Sequence, residues 1–543
     1  MSSTAQAAPA DTAAARDELI LANLVANRVE SEPDRDVLTF ESAGGTEEVR
    51  TYRQLWENGC RIAAGLDQAG MAPGDCFALL MQNHPEFVDA MVGASISGTV
   101  FVPIDPRTRG DKLAYMLRHS GCKGVICADY AMQALEAVRD QVPSLEWVWV
   151  LESGEPDVPA PRTGCRRVSD VLSGPVPVAE IRSVDPMAPM QIMYTSGTTG
   201  DPKGVVMRHA RYGAAAGWGP LFGYSRDDRP YTGLSLTHGN AQIVTLAASL
   251  KLGMRAVFSR RFTKSRLWDI ARKYGCTTFT LLGGMTTAIY SEPPRADDAD
   301  NPVRFVISAG IPAAIWDAFA RRFAVRIVEF YGAVEGGLTI NTGEGPAGSI
   351  GKPPPFLNVR LVDEDGHDVA PGQPGELIFQ LANGSPADVV YLHNPEASGR
   401  KTQGGWLRMG DIGHRDAQGW LYFDYRIGGG IRHNGDFIQP GEIEKVIAEC
   451  DDVADVYVYG VPAASGAPGE KDVVAAIVAA AGRQIDPQAV FSRCRQRLSA
   501  GMVPSYLQVL AEIPKTASEK PQERFLLEAF NAQGNQLYRE MRA

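Results

Sequence analysis

The sequence lacks the marks of several common protein classes. Its eight cysteines are scattered, with no Cys-x-x-Cys pair and no histidine at metal-binding spacing, which indicates reduced, buried thiols rather than a disulfide framework or a zinc site. No apolar run approaches the roughly 18 residues of a membrane span. Residues 1–16 lack the basic and apolar regions of a signal peptide and have the composition of a disordered tail. We therefore expect a cytoplasmic protein with no membrane span.

Positive charge is also scarce. The 53 Lys and Arg residues are outnumbered by 64 Asp and Glu residues, and the formal net charge is −11. Because nucleic-acid binding depends on neutralising phosphates with dense basic surface, no nucleic-acid partner is expected. An anionic small ligand would have to be bound by local donors rather than by the field of the whole protein.

The length and the hydrophobic pattern indicate layered α/β architecture. With 543 residues, the chain is too long for one hydrophobic core, so at least two domains are expected. Predicted helices over 52–66, 85–98 and 111–120 alternate with continuous apolar strands such as Val100–Ile104. Strands of this kind are typical of a sheet that is covered by helices on both faces.

The most informative stretch is Tyr194–Gly204, which reads YTSGTTGDPKG. Apolar runs on both sides predict a strand–loop–strand hairpin. Gly197 and Gly200 permit positive φ and allow backbone N–H groups to point toward one centre. Further donors come from four hydroxyl side chains and one cation, namely Thr195, Ser196, Thr198, Thr199 and Lys203. The loop is therefore predicted to bind an anionic oligo-phosphate.

Two other interpretations of this loop are weaker. A ligand-free surface turn would need only two to five residues, so it explains the length and the donor content poorly. A Walker loop requires Gly-Lys-Ser/Thr at the start of a helix, whereas here Lys203 is followed by Gly204 and an apolar run.

The loop resembles the phosphate-binding signature of the acyl-adenylate-forming superfamily, which includes acyl-CoA synthetases, luciferases and peptide-synthetase adenylation domains. Further segments resemble family motifs in the family's order, among them Phe101–Pro106 and Ile327–Gly337. The resemblance runs from about residue 20 to the end and is closest to acyl-CoA synthetases. It implies a large layered α/β AMP-binding domain over 17–427 and a small mobile α+β domain over 428–543.

The resemblance also implies the reaction. A carboxylic acid would be activated with ATP and Mg²⁺ to acyl-AMP, with release of pyrophosphate, and then transferred to the thiol of CoA, as in an acid–thiol ligase. Residues 195–200 and Lys203 would hold the β,γ-phosphates. Lys520 would reach the reacting carboxylate and the α-phosphate from the small domain. A mobile cation is suited to that task because negative charge builds up on the phosphorus.

Other nucleotide contacts are implied by the motif that ends strand 327–331. Tyr331 would stack on adenine, and Glu335 would hold magnesium, which prefers carboxylate oxygens. The glycines at this edge of the sheet would allow close approach of the nucleotide, since a missing Cβ leaves room for a ligand. Asp411 and Arg426 would bind the ribose. The cofactor-binding glycines of this edge are Gly310 and Gly332.

The acid itself is less well specified. His238 matches a position that covers the acyl pocket in relatives, although a lone histidine is as often a structural residue. Gly310, Gly336 and Gly337 would make the pocket wall small, and no acidic side chain is placed to meet an amino group. The sequence therefore favours a bulky apolar acid over an amino acid.

Two departures from the family pattern leave alternatives open. Val334 stands where the family usually has threonine, so one preorganised donor is missing. Gly428 stands at the usual Asp or Lys hinge and begins three consecutive glycines, which cost more to order than other residues. We hypothesise that adenylation survives better than thioester formation. An enzyme that passes acyl-AMP to a partner protein and a non-catalytic nucleotide-binding protein are the alternatives.

Overall fold

The computed structural model describes most of the chain. The described residues are 16–42, 47–155, 158, 165–195, 202–290, 292–311, 313–427, 430–433, 436–438, 440–467, 469–480, 482–514, 521, 523–531 and 537–540. Most of the expected tail, the centre of the predicted phosphate loop, the Gly428 hinge and Lys520 therefore lie outside the described residues. No helix within the described part is long and apolar enough to cross a membrane.

Two mixed sheets build the large domain. One contains seven described strands in the spatial order Arg166–Arg167, Trp147–Leu151, Gly124–Ala128, Cys76–Leu80, Val100–Ile104, Pro189–Thr195 and Lys203–Arg208. The other contains eight described strands in the order Gly336–Asn341, Arg326–Ala333, Phe305–Ala309, Thr278–Leu282, Pro230–Thr232, Ala256–Ser259, Asp36–Glu41 and Glu47–Thr51. Parallel pairing dominates both sheets, and antiparallel strands lie at their edges.

Helices cover these sheets. The helices of the large domain are Leu21–Ser31, Tyr52–Gln68, Pro85–Ser97, Gly110–His119, Met132–Glu136, Val168–Leu172, His209–Ala216, Ala248–Leu252, Leu267–Tyr274, Gly283–Tyr290, Ala313–Phe323 and Pro395–Lys401. Short 3₁₀ turns occupy Asp129–Ala131, Arg139–Gln141, Gly219–Phe222 and Gln403–Gly405, and a π-helix occupies Asn240–Ala247.

Two helices pack closely in the layer between the sheets. Helix Tyr52–Gln68 begins at a capping box in which Thr51 and Gln54 satisfy each other's backbone N–H groups. Helix Pro85–Ser97 is buried on almost every side. A Cβ on Gly59 would stand 2.6 Å from the Val92 side chain, so glycine is required for this approach. Burial of these helices between the sheets confirms the layered α/β class.

A four-stranded antiparallel sheet follows and leads to the small domain. Its strands are Leu357–Val362, Gly375–Leu381, Leu407–Arg415 and Leu421–Arg426. The small domain combines the hairpin Ile431–His433 and Asp436–Ile438 with strands Val453–Pro462, Lys471–Ala479, Tyr506–Leu510 and Leu537–Arg539. Its helices are Pro440–Ala448, Pro487–Arg497 and Glu523–Asn531, with a 3₁₀ turn at Ala500–Met502. The α+β character expected for this part is confirmed.

Candidate active site

A cavity of about 750 Å³ opens at the edge of the eight-stranded sheet. Parallel strands Thr278–Leu282 and Phe305–Ala309 end there with Leu282 and Ala309 in the wall. Strand Arg326–Ala333 runs into the same wall. Ligands of open α/β sheets bind at the carboxyl ends of the strands, so the fold itself favours this position.

One part of the cavity wall is apolar. Trp218, Phe222, Val244, Phe330 and Leu338 line it. The rings of Phe222 and Phe330 meet edge to face with their centroids 5.4 Å apart. Val244 belongs to the π-helix, a form that often occurs at functional sites. This part of the wall is suited to an apolar group rather than to a charged one.

Other residues of the wall are basic, in contrast to the acidic chain as a whole. Arg408 is bonded to Glu376, so its charge is already neutralised. The Nζ atom of Lys401 donates a hydrogen bond to the Met409 carbonyl at 3.1 Å. The basic residues in the wall are Lys203, Arg400, Lys401, Arg408 and Arg426. Such a wall can bind a polyanion without help from the overall charge.

Glu335 lies in the wall among these cations and is only 8% exposed. The Tyr391 hydroxyl donates to Glu335 Oε1 at 3.0 Å, and burial raises the pKa of that hydroxyl, so it remains a donor at neutral pH. The Nζ atom of Lys203 lies 5.3 Å from the centroid of the Tyr391 ring. Glu335 is therefore held in orientation by Tyr391, and its second carboxylate oxygen has no hydrogen bond or ion pair among the described residues.

Asp411 and Tyr331 form a second polar group next to the cavity. The Tyr331 hydroxyl donates to Asp411 Oδ2 at 2.5 Å, and Arg426 Nε lies 3.6 Å from Oδ1. Burial raises the pKa of Asp411, while Arg426 acts in the opposite direction. Oδ1 is buried and has no hydrogen-bond partner among the described residues. The hydroxyl of a ligand could donate a hydrogen bond to this buried oxygen.

His238 lies in the cavity wall just before the π-helix. Its Nδ1 accepts a hydrogen bond from the Asn240 backbone N–H at 3.3 Å. Burial lowers the pKa of His238, and Asp436 of the small-domain hairpin acts in the opposite direction. The neutral ring is thus favoured in this position.

The small domain contacts the same region. The Nη2 atom of Arg432 donates to the Gly310 carbonyl at 3.3 Å, and Arg432 Nε pairs with Glu470 at 3.3 Å. On the far side of Gly310, its N–H donates to the buried carboxylate of Glu329. Lys112 and Glu442 form a further bridge between the domains at 3.3 Å. The hairpin Ile431–Ile438 therefore lies against the edge of the cavity.

The structure brings most of the described predicted residues together. Tyr331 and Asp411 bond to each other beside the wall, Gly310 contacts Arg432, and Gly336 packs on Leu407. The predicted residues that line the cavity itself are Thr195, Lys203, His238, Gly332, Glu335, Gly337 and Arg426. The predicted residues outside the described part are Ser196, Gly197, Thr198, Thr199, Gly200 and Lys520.

Several residues of the site escaped the sequence analysis. The aromatic residues Trp218 and Phe222 flank and end a short 3₁₀ turn with no recognisable motif: Trp218 directly precedes it and Phe222 is its last residue. Lys401 is the last residue of helix Pro395–Lys401, and nothing in the surrounding sequence distinguishes it from a lysine on the protein surface. Arg211 is half-buried, and its Nη2 atom lies 3.6 Å from the position that a Cβ on Gly336 would occupy. Only the fold brings these side chains together, so the sequence held no local signal for them.

Comparison with known proteins gives a consistent family. The AMP-binding enzyme family matches residues 25–384, and the AMP-binding enzyme C-terminal domain matches residues 442–520. A medium/long-chain-fatty-acid–CoA ligase of Mycobacterium marinum is 30% identical over 455 residues, which is 82% of this chain and 85% of the relative. Long-chain fatty acid transport protein 1 of Homo sapiens is 29% identical over 523 residues, covering 91% and 80%.

The fold agrees with solved structures. A fatty acyl CoA synthetase of Mycobacterium tuberculosis superposes with a TM-score of 0.64 at 26% identity, covering 95% of this chain and 99% of the other. The large α/β domain and the small α+β domain match this kind of enzyme. The chain therefore belongs to the AMP-binding enzyme family, within the acyl-adenylate-forming superfamily and close to the acyl-CoA synthetases.

Proposed function

We propose that this acid–thiol ligase converts a bulky, apolar carboxylic acid into its CoA thioester through an acyl-AMP intermediate. The proposal rests on a cavity whose wall contains both basic and apolar side chains. A cationic part is suited to a triphosphate, and an apolar part is suited to an acyl chain. Between them, a carboxylate can meet an α-phosphate with both reactants already oriented.

The first step joins the acid to the nucleotide. A carboxylate oxygen bonds to the α-phosphorus, the bond from that phosphorus to the bridging oxygen breaks, and pyrophosphate leaves with the electron pair. No proton has to move. Lys203 and the loop before it would hold the β,γ-phosphates, and Lys520 would neutralise charge at the reacting phosphorus.

The base and the ribose would be bound next to the strand ends. Tyr331 offers a ring for adenine, with Gly310 and Gly332 allowing the nucleotide to approach the backbone. The unsatisfied Asp411 Oδ1 supports a contact to a ribose hydroxyl. Arg426, 3.6 Å from that oxygen, would hold the carboxylate in place.

Glu335 is proposed as the magnesium ligand. Its carboxylate lies in the cavity wall, and Tyr391 holds only one of its oxygens among the described contacts. When bound, magnesium supplies neutralisation of phosphate charge. The role of the protein is to present Glu335 in a fixed orientation toward the phosphates.

The second step transfers the acyl group to CoA. The thiol sulfur bonds to the acyl carbon, the bond from that carbon to the phosphate oxygen breaks, and AMP leaves. The thiol proton passes to solvent. The contact of Arg432 with Gly310 supports a role for the small domain in this step, because it holds the hairpin at the cavity edge.

The acid is proposed to be a fatty acid or a similarly bulky apolar acid. Trp218, Phe222 and Phe330 give the wall its aromatic character, and His238 and Gly337 line the same cavity. Gly336, which packs beside Leu407, is proposed as a further residue of the acyl pocket. Both curated relatives described above carry fatty acid in their names. We extend that class of acid to this chain on the strength of the apolar wall.

Pyrophosphate release with a panel of acids tests this assignment. Fatty acids of increasing length and bulky aromatic acids should give CoA-dependent AMP formation, with a lower KM as apolar area increases. Amino acids should give no turnover, because the wall offers apolar side chains where an ammonium would need a carboxylate. Turnover with amino acids in preference to fatty acids would contradict the proposed substrate class.

A further inference from the structure

The basic residues of the cavity wall differ in whether the chain itself neutralises them. The three arginines have carboxylate partners, which are Glu396 for Arg400, Glu376 for Arg408 and Asp411 for Arg426. The two lysines of the wall, Lys203 and Lys401, form no ion pair with any described residue. Lys203 follows the loop that is proposed to hold the β,γ-phosphates. The charge of Lys401 is therefore available to a different anionic group.

Lys401 is held beside the segment that leads to Asp411. It is half-buried at the end of helix Pro395–Lys401, and its side chain lines the cavity. Its Nζ atom donates to the carbonyl of Met409 at 3.1 Å, two residues before Asp411. Met409 and Gly410 line the same cavity. The ammonium group is thus fixed next to the proposed ribose site, and two of its three N–H donors are not used by this hydrogen bond.

The same helix is also tied to the proposed magnesium ligand. The Ser398 hydroxyl accepts from the backbone N–H of Tyr391 at 2.9 Å, and the Tyr391 side chain holds Glu335. Burial lowers the pKa of Lys401, whereas Glu335 is the strongest of the groups that raise it, and Asp411 acts in the same direction. In a bound nucleotide, the α-phosphate connects the ribose to the phosphates that magnesium neutralises. The α-phosphate is therefore the anionic group expected at Lys401.

We propose that Lys401 contacts the α-phosphate of the bound nucleotide in both steps of the reaction. This inference rests on the proposed function and assigns it one further substrate-contacting residue. Helix Pro395–Lys401 belongs to the large domain, so the contact does not depend on the position of the small domain. In the second step, the bond from the acyl carbon to the phosphate oxygen breaks and AMP leaves with the electron pair. An ammonium group fixed beside that phosphate stabilises the charge that develops on it.

Ligand-observed NMR titration of purified variants with AMP, adenosine and inorganic pyrophosphate tests the proposal. Lys401→Gln removes the charge and keeps a donor for the Met409 carbonyl, whereas Lys401→Met removes both. Both variants should bind AMP about tenfold or more weakly than the wild type. Their affinities for adenosine and pyrophosphate should not change, because neither ligand carries the α-phosphate.

Lys352→Met is the matched control. The Nζ atom of Lys352 also donates to a backbone carbonyl, that of Gln418 at 3.0 Å, but Lys352 is exposed and lies outside the cavity wall. This variant should bind all three ligands as the wild type does. Thermal unfolding without ligand checks that each variant is folded.

The affinity for adenosine separates a phosphate contact from a positioning role. If Lys401 acted only by holding the Met409 carbonyl, Lys401→Met would weaken adenosine and AMP by the same factor, and Lys401→Gln would retain both. That result would overturn the proposal, as would unchanged AMP affinity in the folded Lys401 variants or a loss confined to pyrophosphate. A wild type that bound neither AMP nor ATP would instead refute the proposed function.

Discussion

Single residues in and around the cavity differ in how well the folded chain satisfies them. Arg408 in the wall is paired with Glu376, whereas the buried Oδ1 of Asp411 accepts no hydrogen bond among the described residues and has Arg426 Nε at 3.6 Å. Polar groups buried without partners cost free energy, so a fold retains them where a ligand completes them. Oδ1 of Asp411 is such a group, and a ribose hydroxyl is proposed to complete it.

Val334 is the position where a hydrogen-bond donor can be restored by one substitution. It lies in the cavity wall beside Glu335, and its side chain cannot donate a hydrogen bond. Val334→Thr keeps the shape and adds a hydroxyl, so the rate of acid-dependent pyrophosphate release should rise by about tenfold or more. Val334→Ala, which changes the volume without adding a donor, serves as the control. An unchanged rate in Val334→Thr would mean that another group already supplies the missing donor.

Glu329 gives a pH-dependent prediction. Its buried carboxylate accepts from the backbone of Gly310 and Ile311, and burial raises its pKa from 4.5 to about 8. Between pH 4.5 and 8 the Glu329 carboxyl keeps its proton in the native state, whereas in the unfolded chain it has lost that proton. The stabilisation that Glu329 gives the native state is therefore fully present below pH 4.5 and is lost as the pH rises to 8.

Glu329→Gln cannot titrate and therefore isolates this effect. The stability of the wild type relative to Glu329→Gln should fall as the pH is raised from 5 to 8, by at most about 1.4 kcal/mol per pH unit. Unfolding followed by circular dichroism at several pH values measures the difference. A difference that stays constant or grows with pH would refute the proposed titration of this carboxyl.

At the scale of elements, the hairpin Ile431–Ile438 links the small domain to the cavity. Arg432 donates a hydrogen bond to the carbonyl of Gly310, which follows strand Phe305–Ala309. The charge of Asp436 acts to raise the pKa of His238. Two elements far apart in sequence thus share one edge of the site. This arrangement brings the hairpin close to where an acyl-AMP would be formed.

Arg432→Ala should slow acyl-CoA formation more than adenylation. A hydrogen bond from a charged group contributes about 1.5–3 kcal/mol, so its loss should reduce the population of this domain arrangement by about tenfold or more. Pyrophosphate release and acyl-CoA formation are measured in parallel. Arg483→Ala, which breaks an exposed pair with Asp452 within the small domain, is the control. An equal fall in both rates would argue against a role of the hairpin in the second step.

At the scale of the whole molecule, much of the fold follows from local sequence patterns. The predicted strand Val100–Ile104 and the helix that begins at Pro85 agree with the structure. Both could be predicted because a continuous apolar run and a proline at a helix start are signals within a few neighbouring residues. The hairpin around the phosphate loop was also predicted, and its strands Pro189–Thr195 and Lys203–Arg208 pair antiparallel.

The candidate site was predictable where its residues lie in contiguous motifs and not where distant segments converge. Tyr331 and Glu335 could be predicted because they share one motif, and their roles stay predictions. The structure places Tyr331 in contact with Asp411, and it places Glu335 in the same cavity wall as Lys203. Lys401 was missed because its place in the cavity wall is set by packing between separate elements, and a lysine at the end of a short helix is usually exposed. The π-helix Asn240–Ala247 was missed because its apolar pattern has no period that separates it from an α-helix.

Product analysis by mass spectrometry tests whether this chain makes acyl-CoA through acyl-AMP. The protein is incubated with Mg·ATP and a fatty acid, with and without CoA. We expect acyl-AMP and pyrophosphate without CoA, and acyl-CoA with AMP when CoA is present. Acyl-AMP that persists in the presence of CoA would contradict the second step and indicate transfer to a partner protein. ATP that binds without any pyrophosphate release would contradict both steps of the proposed reaction.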